Sequence, residues 1–268
     1  MESKRPKVSI IMGAYNCAHI IRKAVNSILS QDYRDWELII CNDGSKDMTV
    51  NILHELEVED ERIKVISNDR NRGLAYSLNH CLQEVNGEYV ARMDADDIIL
   101  PDRLALQVQF LDSHKDYDVV GGGIILYDES GERQTILNPE YPDVKIMRLR
   151  VPFFHPTIMM RKSAYDKLGG YLDLPRTRRG QDLDLWFRFF AAGMKGYNLQ
   201  QPVIKYHDDQ KDQLKKNSIK LSWNLTKTRV KGFKINHFPF YYYPFAFAHL
   251  AIAAMPNWLS FKIHKLLN

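Results

Sequence analysis

The sequence predicts an α/β fold: a mostly parallel, Rossmann-like sheet with flanking helices, followed by a C-terminal helical and aromatic extension. Strand-like and helix-like segments alternate at short spacing over the first hundred residues, and the strand-like segments are continuous apolar runs. Alternating strands and helices build parallel sheets, and strands that are covered on both faces are apolar throughout. These two observations predict a doubly wound sheet.

The elements follow in order along the chain. The predicted strands of the first half are rich in β-branched residues and comprise 7–12, 37–41, 63–67 and 88–93. The predicted helices between and after them have apolar residues at three-to-four spacing and comprise 21–29, 49–56, 74–85 and 102–107. In the second half, the sequence predicts strands over 118–127, 157–160 and 203–207, and a helix over 181–190.

The composition is that of an ordinary globular protein. Of 268 residues, 45% are hydrophobic and 26% are charged, which allows one large domain (1–210) and an extension (211–268). The net charge of +4 is too small over this length to argue for a nucleic-acid partner. The three cysteines form no C-x-x-C pair, and the N-terminus lacks the apolar region of a signal peptide. We therefore expect free buried thiols in a cytoplasmic protein.

Three predicted strands end in polar residues of the kind that binds ligands, at 15–16, 42–45 and 94–97. Because the carboxyl ends of parallel strands lie at one edge of a sheet, these clusters should converge in one crevice. The three carboxylates within 94–97 repel one another, so we expect a divalent cation, Mg²⁺ or Mn²⁺, with a nucleotide diphosphate. For Asp97 and Asp102, capping of the next helix is the alternative.

The loop after the first strand, Gly13-Ala14-Tyr15-Asn16, counts against two nucleotide-binding folds. It lacks the G-x-G-x-x-G pattern of dinucleotide-binding proteins and the G-x-x-x-x-G-K-S/T pattern of P-loop NTPases. If the crevice holds a nucleotide, it does so through other contacts.

Five segments resemble, in the right order, the motifs of family 2 glycosyltransferases: 8–16, 41–45, 68–73, 94–97 and 180–186. Each motif alone is weakly specific, and their order over about two hundred residues makes the resemblance strong. It implies a GT-A fold and an inverting, metal-dependent transfer of a sugar from a nucleoside diphosphate sugar, with a UDP-sugar expected. We expect the acceptor to be a glycan, in particular a lipid-linked glycan of bacterial cell-surface polysaccharide synthesis.

The resemblance also implies roles for single residues. Tyr15 would stack near the donor base, Asp43 would hydrogen-bond that base, and Asp94 would contact the ribose. Asp96 would bind the metal, and Asp182 would be the catalytic base, with stabilisation of the helix dipole as its structural alternative. The full set of implied donor-binding residues is Ala14, Tyr15, Asn16, Asp43, Arg70, Asn71, Arg92, Asp94 and Ala95.

Further residues complete the predicted site. His207 is a second metal-binding candidate, with a solvated residue at a strand end as the alternative. The acceptor-side candidates are His155, Gln181, Asp184 and Trp186, and a core histidine is the alternative for the first of them. Family members commonly carry Glu where this sequence has Gln181, so a carboxylate that could tune the pKa of the base is missing.

Two other functions stay open. A sugar nucleotidyltransferase also binds nucleotide and metal in an α/β crevice, but it would use a Gly-rich loop bearing Arg or Lys after the first strand, which residues 13–16 do not supply. A non-catalytic sugar-nucleotide-binding protein is compatible with the departure at Gln181.

The C-terminal extension differs in composition. Basic residues recur between 211 and 234, and 238–256 is apolar and aromatic but is broken by Pro239 and Pro244 and interrupted by His249. Its unbroken apolar part is shorter than the ~20 residues that a membrane-spanning helix needs. We expect it to attach the protein peripherally to an anionic membrane surface, at the inner face of the plasma membrane. The alternative is packing against the catalytic domain or against a second copy, as a homodimer.

Overall fold

The computed structural model describes residues 5–208 and 219–253. The strands are β1 (Val8–Ala14), β2 (Trp36–Asn42), β3 (Ile63–Ser67), β4 (Tyr89–Asp94), β5 (Ile98–Ile99), β6 (Val119–Asp128), β7 (Gly131–Ile136), β8 (Met159–Arg161) and β9 (Gly196–His207). The α-helices are α1 (Ile21–Leu29), α2 (Thr49–Glu59), α3 (Leu74–Gln83), α4 (Arg103–Ser113), α5 (Lys162–Leu168), α6 (Gln181–Ala191), α7 (Ile219–Ile235), α8 (Tyr243–Ala246) and α9 (Ala248–Ala253). The predicted domain boundary at 210/211 lies outside the described residues.

One mixed sheet runs through the described part of the chain. Its strand order is β3-β2-β1-β4-β8-β6-β9-β5, and β7 pairs with β6. The first four strands in this order are mutually parallel, β8 is antiparallel to both β4 and β6, and β9 is parallel to β6. The predicted α/β class with a mostly parallel first half is therefore confirmed.

Two hydrophobic cores, one on each face of the sheet, explain why the first strands are apolar without alternation. Ile10 and Met12 of β1 lie in the core that α1, α2 and α4 cover. Ile11, between them, lies in the core that α3, α5 and α6 cover. Since neighbouring side chains of a strand point to opposite faces, burial on both faces requires apolar residues at every position. All three cysteines are buried and free, as predicted.

The second half of the sheet differs from the prediction in three places. The predicted strand over 157–160 begins later, because His155–Thr157 forms a 3-10 turn around Pro156. The predicted strand over 203–207 is only the end of a strand that starts at Gly196. Strand β7 was not predicted, because its residues are mostly polar and exposed and it forms by pairing with β6 at the edge of the sheet.

Helix α7 packs on α6, and Phe233, Phe238 and Ala246 of the extension join the core that α3, α5 and α6 cover. A Cβ atom at Gly232 would lie 2.2 Å from the ring of Phe187, and glycine is what allows this approach. The rings of Phe187 and Phe233 meet edge-on at 5.8 Å, and Asn236 Nδ2 donates to the Phe187 carbonyl at 3.0 Å. Among the described residues, no helix has the length and hydropathy needed to cross a bilayer.

Candidate active site

The strand register brings the predicted polar clusters to one edge of the sheet. Ala14 at the end of β1 lies beside Asn42 of β2, and Gly13 lies beside Asp94 of β4. The residues that follow these strand ends, Tyr15 and Asp43 among them, are therefore neighbours of the carboxylate cluster. A cleft at this edge is where open α/β sheets bind their ligands.

Asp43 holds the loop that follows β3. Its buried carboxylate accepts hydrogen bonds from Asn68 Nδ2 and from the backbone N–H groups of Arg72 and Gly73, each at 2.8 Å. Carboxylates have about four acceptor sites, so one remains for another donor. The structure thus gives Asp43 a clear structural role, and its predicted contact with the donor base stays a prediction.

The turn after β2 requires a glycine. Gly44 has a φ of +67°, and a Cβ there would lie 2.6 Å from the backbone carbon of Arg70. This close approach sets the predicted donor-binding residues Arg70 and Asn71 at the surface of the cleft, where both are exposed.

The loop after β1 presents one aromatic ring to solvent. Tyr15 keeps 44% of its surface accessible, as a residue that stacks on a base should. Asn16 instead braces the turn: its φ is +49°, and its Oδ1 accepts the N–H of Lys46 at 2.8 Å. Ala14 is buried, and its carbonyl accepts the N–H of Asp43 at 2.8 Å.

Asp94, Asp96 and Asp97 form a compact carboxylate cluster, in which one oxygen of each residue lies within 4.8 Å of the others. The buried guanidinium of Arg92 donates to both oxygens of Asp94. Asp97 is buried as well: its Oδ1 accepts the N–H of His207 at 3.1 Å, and its Oδ2 has no hydrogen-bond partner in the described part of the chain. Arg92 therefore offsets the charge of Asp94 from a buried position, and its predicted contact with the donor stays a prediction.

The electrostatics of the cluster favour the binding of a positive charge. Burial, followed by the charges of Asp94 and Asp96, raises the pKa of Asp97 well above its usual range. Enclosure by the cleft and the charge of Asp94 also raise the pKa of Asp96. Hard carboxylate oxygens and an unpartnered buried oxygen fit a divalent cation such as Mg²⁺ or Mn²⁺.

His207 contacts the carboxylate cluster through its backbone N–H, which donates to Asp97 Oδ1. Strand β5 pairs with β9 so that Ile98 lies beside Lys205, and this register brings the end of β9 against the aspartates. The imidazole lies 5.3 Å from the ring of Tyr127, whose hydroxyl donates to the Asp96 carbonyl at 2.8 Å. The structure places His207 next to the cluster, and metal ligation by its ring stays a prediction.

Asp182 lies in the first turn of α6, after Gly180, and its Oδ1 accepts the N–H of Leu183 at 2.8 Å. Burial raises its pKa, the charge of Asp94 adds to this effect, and the charge of Arg92 opposes it. The charges of Arg92 and Asp94 both act on this carboxylate, so the predicted base shares the electrostatic environment of the carboxylate cluster. A carboxylate with a raised pKa is better suited to accept a proton than an ordinary aspartate.

Three predicted acceptor-side residues are not brought to the cleft surface. Asp184 is buried between Arg176 and Arg188, at 2.9 and 2.8 Å. Trp186 is fully buried in the aromatic core, and His155 is buried with its Nε2 3.0 Å from the Tyr171 hydroxyl. The structure therefore buries all three side chains, two on α6 and His155 in the turn before β8, and their predicted place on the acceptor side stays a prediction.

Gln181 stays at the cleft end of α6. It is partly exposed, and its side-chain oxygen accepts the N–H of Gly180 at 3.2 Å. Its predicted position on the acceptor side remains a prediction.

Sequence reasoning missed two groups near the base. Arg229 of α7 is buried, donates to the Met147 carbonyl at 2.7 Å and interacts electrostatically with Asp182; burial lowers its pKa to about 10, and Asp182 opposes that effect. Burial raises the pKa of Tyr171 well above its usual range, with a smaller effect from Asp182. Arg229 stands within a run of lysines, so no local pattern distinguishes it from a surface cation.

The architecture and the carboxylates at its edge define the GT-A fold. Matching structures include S. aureus TarS 1–349 in complex with UDP-GlcNAc, which has a TM-score of 0.71 at 18% identity and covers 92% of this chain and 72% of that one. The family model described as glycosyl transferase family 2 matches residues 9–169. The chain belongs to this family, and the resemblance predicted from the sequence is confirmed.

Two relatives carry more specific names. The putative glycosyltransferase EpsE of Bacillus subtilis (strain 168) is 48% identical over 218 residues, which are 81% of this chain and 78% of EpsE. Over 104 residues, 38% identity links the chain to WfgD of Escherichia coli, named a UDP-Glc:alpha-D-GlcNAc-diphosphoundecaprenol beta-1,3-glucosyltransferase. That match covers 39% of this chain and 40% of WfgD.

Proposed function

We propose that this protein is an inverting glycosyltransferase that moves a sugar from a UDP-sugar to a hydroxyl group of a lipid-linked glycan in polysaccharide synthesis. The observation that carries the proposal is Asp182, a half-buried carboxylate in the first turn of α6 whose pKa is raised by burial and by the charge of Asp94. The UDP-GlcNAc complex of TarS and the name of WfgD support UDP as the nucleotide. The name of WfgD also supports a lipid diphosphate as the carrier of the acceptor.

In this mechanism, Asp182 accepts the proton of the acceptor hydroxyl while that oxygen attacks the anomeric carbon of the donor. The bond between the anomeric carbon and the diphosphate oxygen breaks, and UDP leaves with the bonding electrons. Attack from the face opposite to the leaving group inverts the anomeric centre. The rigid sheet edge contributes by holding the two reactants in line.

The carboxylate cluster would hold the metal. Asp96 is the exposed ligand, Asp97 supplies an unpartnered oxygen, and Arg92 offsets the charge of Asp94. When bound, Mg²⁺ or Mn²⁺ supplies Lewis-acid stabilisation of the charge that develops on the leaving diphosphate. Tyr15 and the exposed loop at 70–71 would bind the nucleoside on the other side of the cleft.

A panel of UDP-sugars and other nucleotide sugars, screened for thermal stabilisation with Mn²⁺ and with a chelator, tests donor binding. Donors that stabilise the protein are then incubated with glycan acceptors, and the released nucleotide is identified. The proposal expects UDP without pyrophosphate. In a parallel reaction with UTP and a sugar 1-phosphate, release of pyrophosphate would instead identify a sugar nucleotidyltransferase. Binding without turnover in either reaction would identify a non-catalytic sugar-nucleotide-binding protein.

The protein would work at the inner face of the plasma membrane, attached to anionic lipid. Phe240 and Tyr241, between α7 and α8, keep 87% and 60% of their surface exposed. The neighbouring ring of Tyr242 lies 5.7 Å from the guanidinium of Arg148, so a basic group lies next to these aromatic rings. Such a surface suits the interface of an anionic membrane, and burial of the same surface in a homodimer is the competing outcome.

A further inference from the structure

A cleft opens between residues 70–73, residues 173–179 and the start of α7, and it shares the wall formed by Arg70 and Asn71 with the predicted donor site. Its volume is about 750 Å³. The charged side chains that line it are five cations and one carboxylate: Arg70, Arg72, Arg178, Arg179, Lys220 and Asp173. A concave surface with this excess of positive charge concentrates anions.

The cations of the two walls differ in how far they are neutralised. Arg70 and Arg72 lie 3.2 and 3.8 Å from the carboxylate of Asp69. Arg178, Arg179 and Lys220 are exposed, and in the described ranges no carboxylate lies within ion-pair distance of them. Within the described part of the chain, these three charges are therefore the least neutralised of the cleft.

The position of the cleft relates it to the candidate base. Arg179 precedes Asp182 by three residues, so at most about 10 Å of chain separates their backbones. The side chain of Arg178 reaches the other wall, where its Nε would lie 3.9 Å from a Cβ atom at Gly73. An anion in the cleft is thus held near the end of α6, where the acceptor must present its hydroxyl group.

Guanidinium and ammonium groups bind phosphate oxygens directly, whereas the carboxylate cluster would bind a diphosphate only through a metal ion. The two sites therefore suit two different diphosphates. We propose that Arg178, Arg179 and Lys220 bind, without metal, the diphosphate that links the acceptor glycan to its lipid. This inference rests on the proposed function, in which the carboxylate cluster holds the diphosphate of the donor.

Inorganic pyrophosphate in the presence of a chelator is the probe, and isothermal titration calorimetry measures its binding to the full chain. Loss of two charge-assisted contacts should weaken binding by about tenfold or more in the Arg178→Ala/Arg179→Ala variant, and Lys220→Ala should weaken it by less. Lys231→Ala, which removes an exposed lysine of the same helix outside the cleft, should bind as the wild type does. Melting temperatures establish that each variant is folded.

Two further measurements distinguish the acceptor diphosphate from other phosphate ligands. UDP binding in the presence of Mn²⁺ reports on the donor diphosphate, and sedimentation with phosphatidylglycerol vesicles reports on lipid headgroups. The proposal expects both to be unchanged in the double-arginine variant. It is overturned if pyrophosphate binds the variant and the wild type equally, if UDP binding falls in parallel, or if only vesicle binding is lost. Failure of the wild type to release UDP from any donor would overturn the proposed function and would leave the pyrophosphate result standing.

Discussion

Replacement of Asp182 by Asn removes the proposed proton acceptor and keeps the local structure of the helix end. Asn retains the oxygen that accepts the N–H of Leu183 at 2.8 Å, so the first turn of α6 keeps its local hydrogen bond. It cannot accept the proton of the acceptor hydroxyl. General bases contribute about 10²–10⁴ to the rate, so kcat should fall by that factor, which is a barrier increase of roughly 3–5 kcal/mol.

The same variant should be at least as stable as the wild type at neutral pH. Burial raises the pKa of Asp182, so the folded protein disfavours the ionised form. Above the ordinary pKa of 3.8, the unfolded chain ionises more readily than the folded one, and the wild type loses stability as the pH rises toward the raised folded value. The neutral amide of the Asp182→Asn variant carries no such penalty.

The rate of the wild type should fall as the pH decreases through the raised pKa of Asp182, because only the carboxylate form accepts a proton. UDP release measured against pH, together with melting temperatures, checks both effects. Donor affinity should be unchanged. Transfer within a few-fold of the wild type, with the same pH profile, would refute the assignment of the base.

Asp184→Asn is the matched control, two residues along the same helix. It leaves Arg176 and Arg188 without their shared carboxylate, whose side chain is 8% exposed. We expect a loss of about 1–3 kcal/mol in the free energy of unfolding, reduced from that of a fully buried pair because both arginines contact water. An equal loss of unfolding free energy in Asp182→Asn and Asp184→Asn would contradict the view that only Asp184 stabilises the fold through ion pairs.

Three further perturbations test other parts of the molecule. Asp96→Asn should abolish the stimulation of UDP binding by Mn²⁺ while the fold is kept, and calorimetry with and without a chelator measures this; identical metal dependence in the variant would exclude Asp96 as a ligand. Gly232→Ala should lower the free energy of unfolding by about 1–3 kcal/mol, because the added methyl overlaps Phe187, and an unchanged melting temperature would show that the two helices can separate at no cost. Phe240→Ser/Tyr241→Ser should reduce sedimentation with anionic vesicles; if the wild type ignores vesicles and the variant instead dissociates a dimer, this surface is an oligomer interface.

The sequence by itself determined the fold class and the donor edge of the site. Continuous apolar strands such as Val8–Ala14 and the periodic helices between them are local patterns, and they suffice to predict a parallel sheet. The topology of such a sheet places strand ends together without any knowledge of side-chain contacts. For this reason Asp43, Asp94 and Asp96 could be named as neighbours before their geometry was known.

Tertiary structure alone decided which polar side chains face the cleft. Asp182 and Asp184 are two residues apart in one helix, and only packing pairs the second with two half-buried arginines while the first stays partly exposed. Likewise, Arg229 lies near Asp182 because the Gly232–Phe187 contact docks α7 on α6. Contacts between residues distant in sequence leave no periodic signal, because each depends on the position of a whole helix and not on its neighbours along the chain.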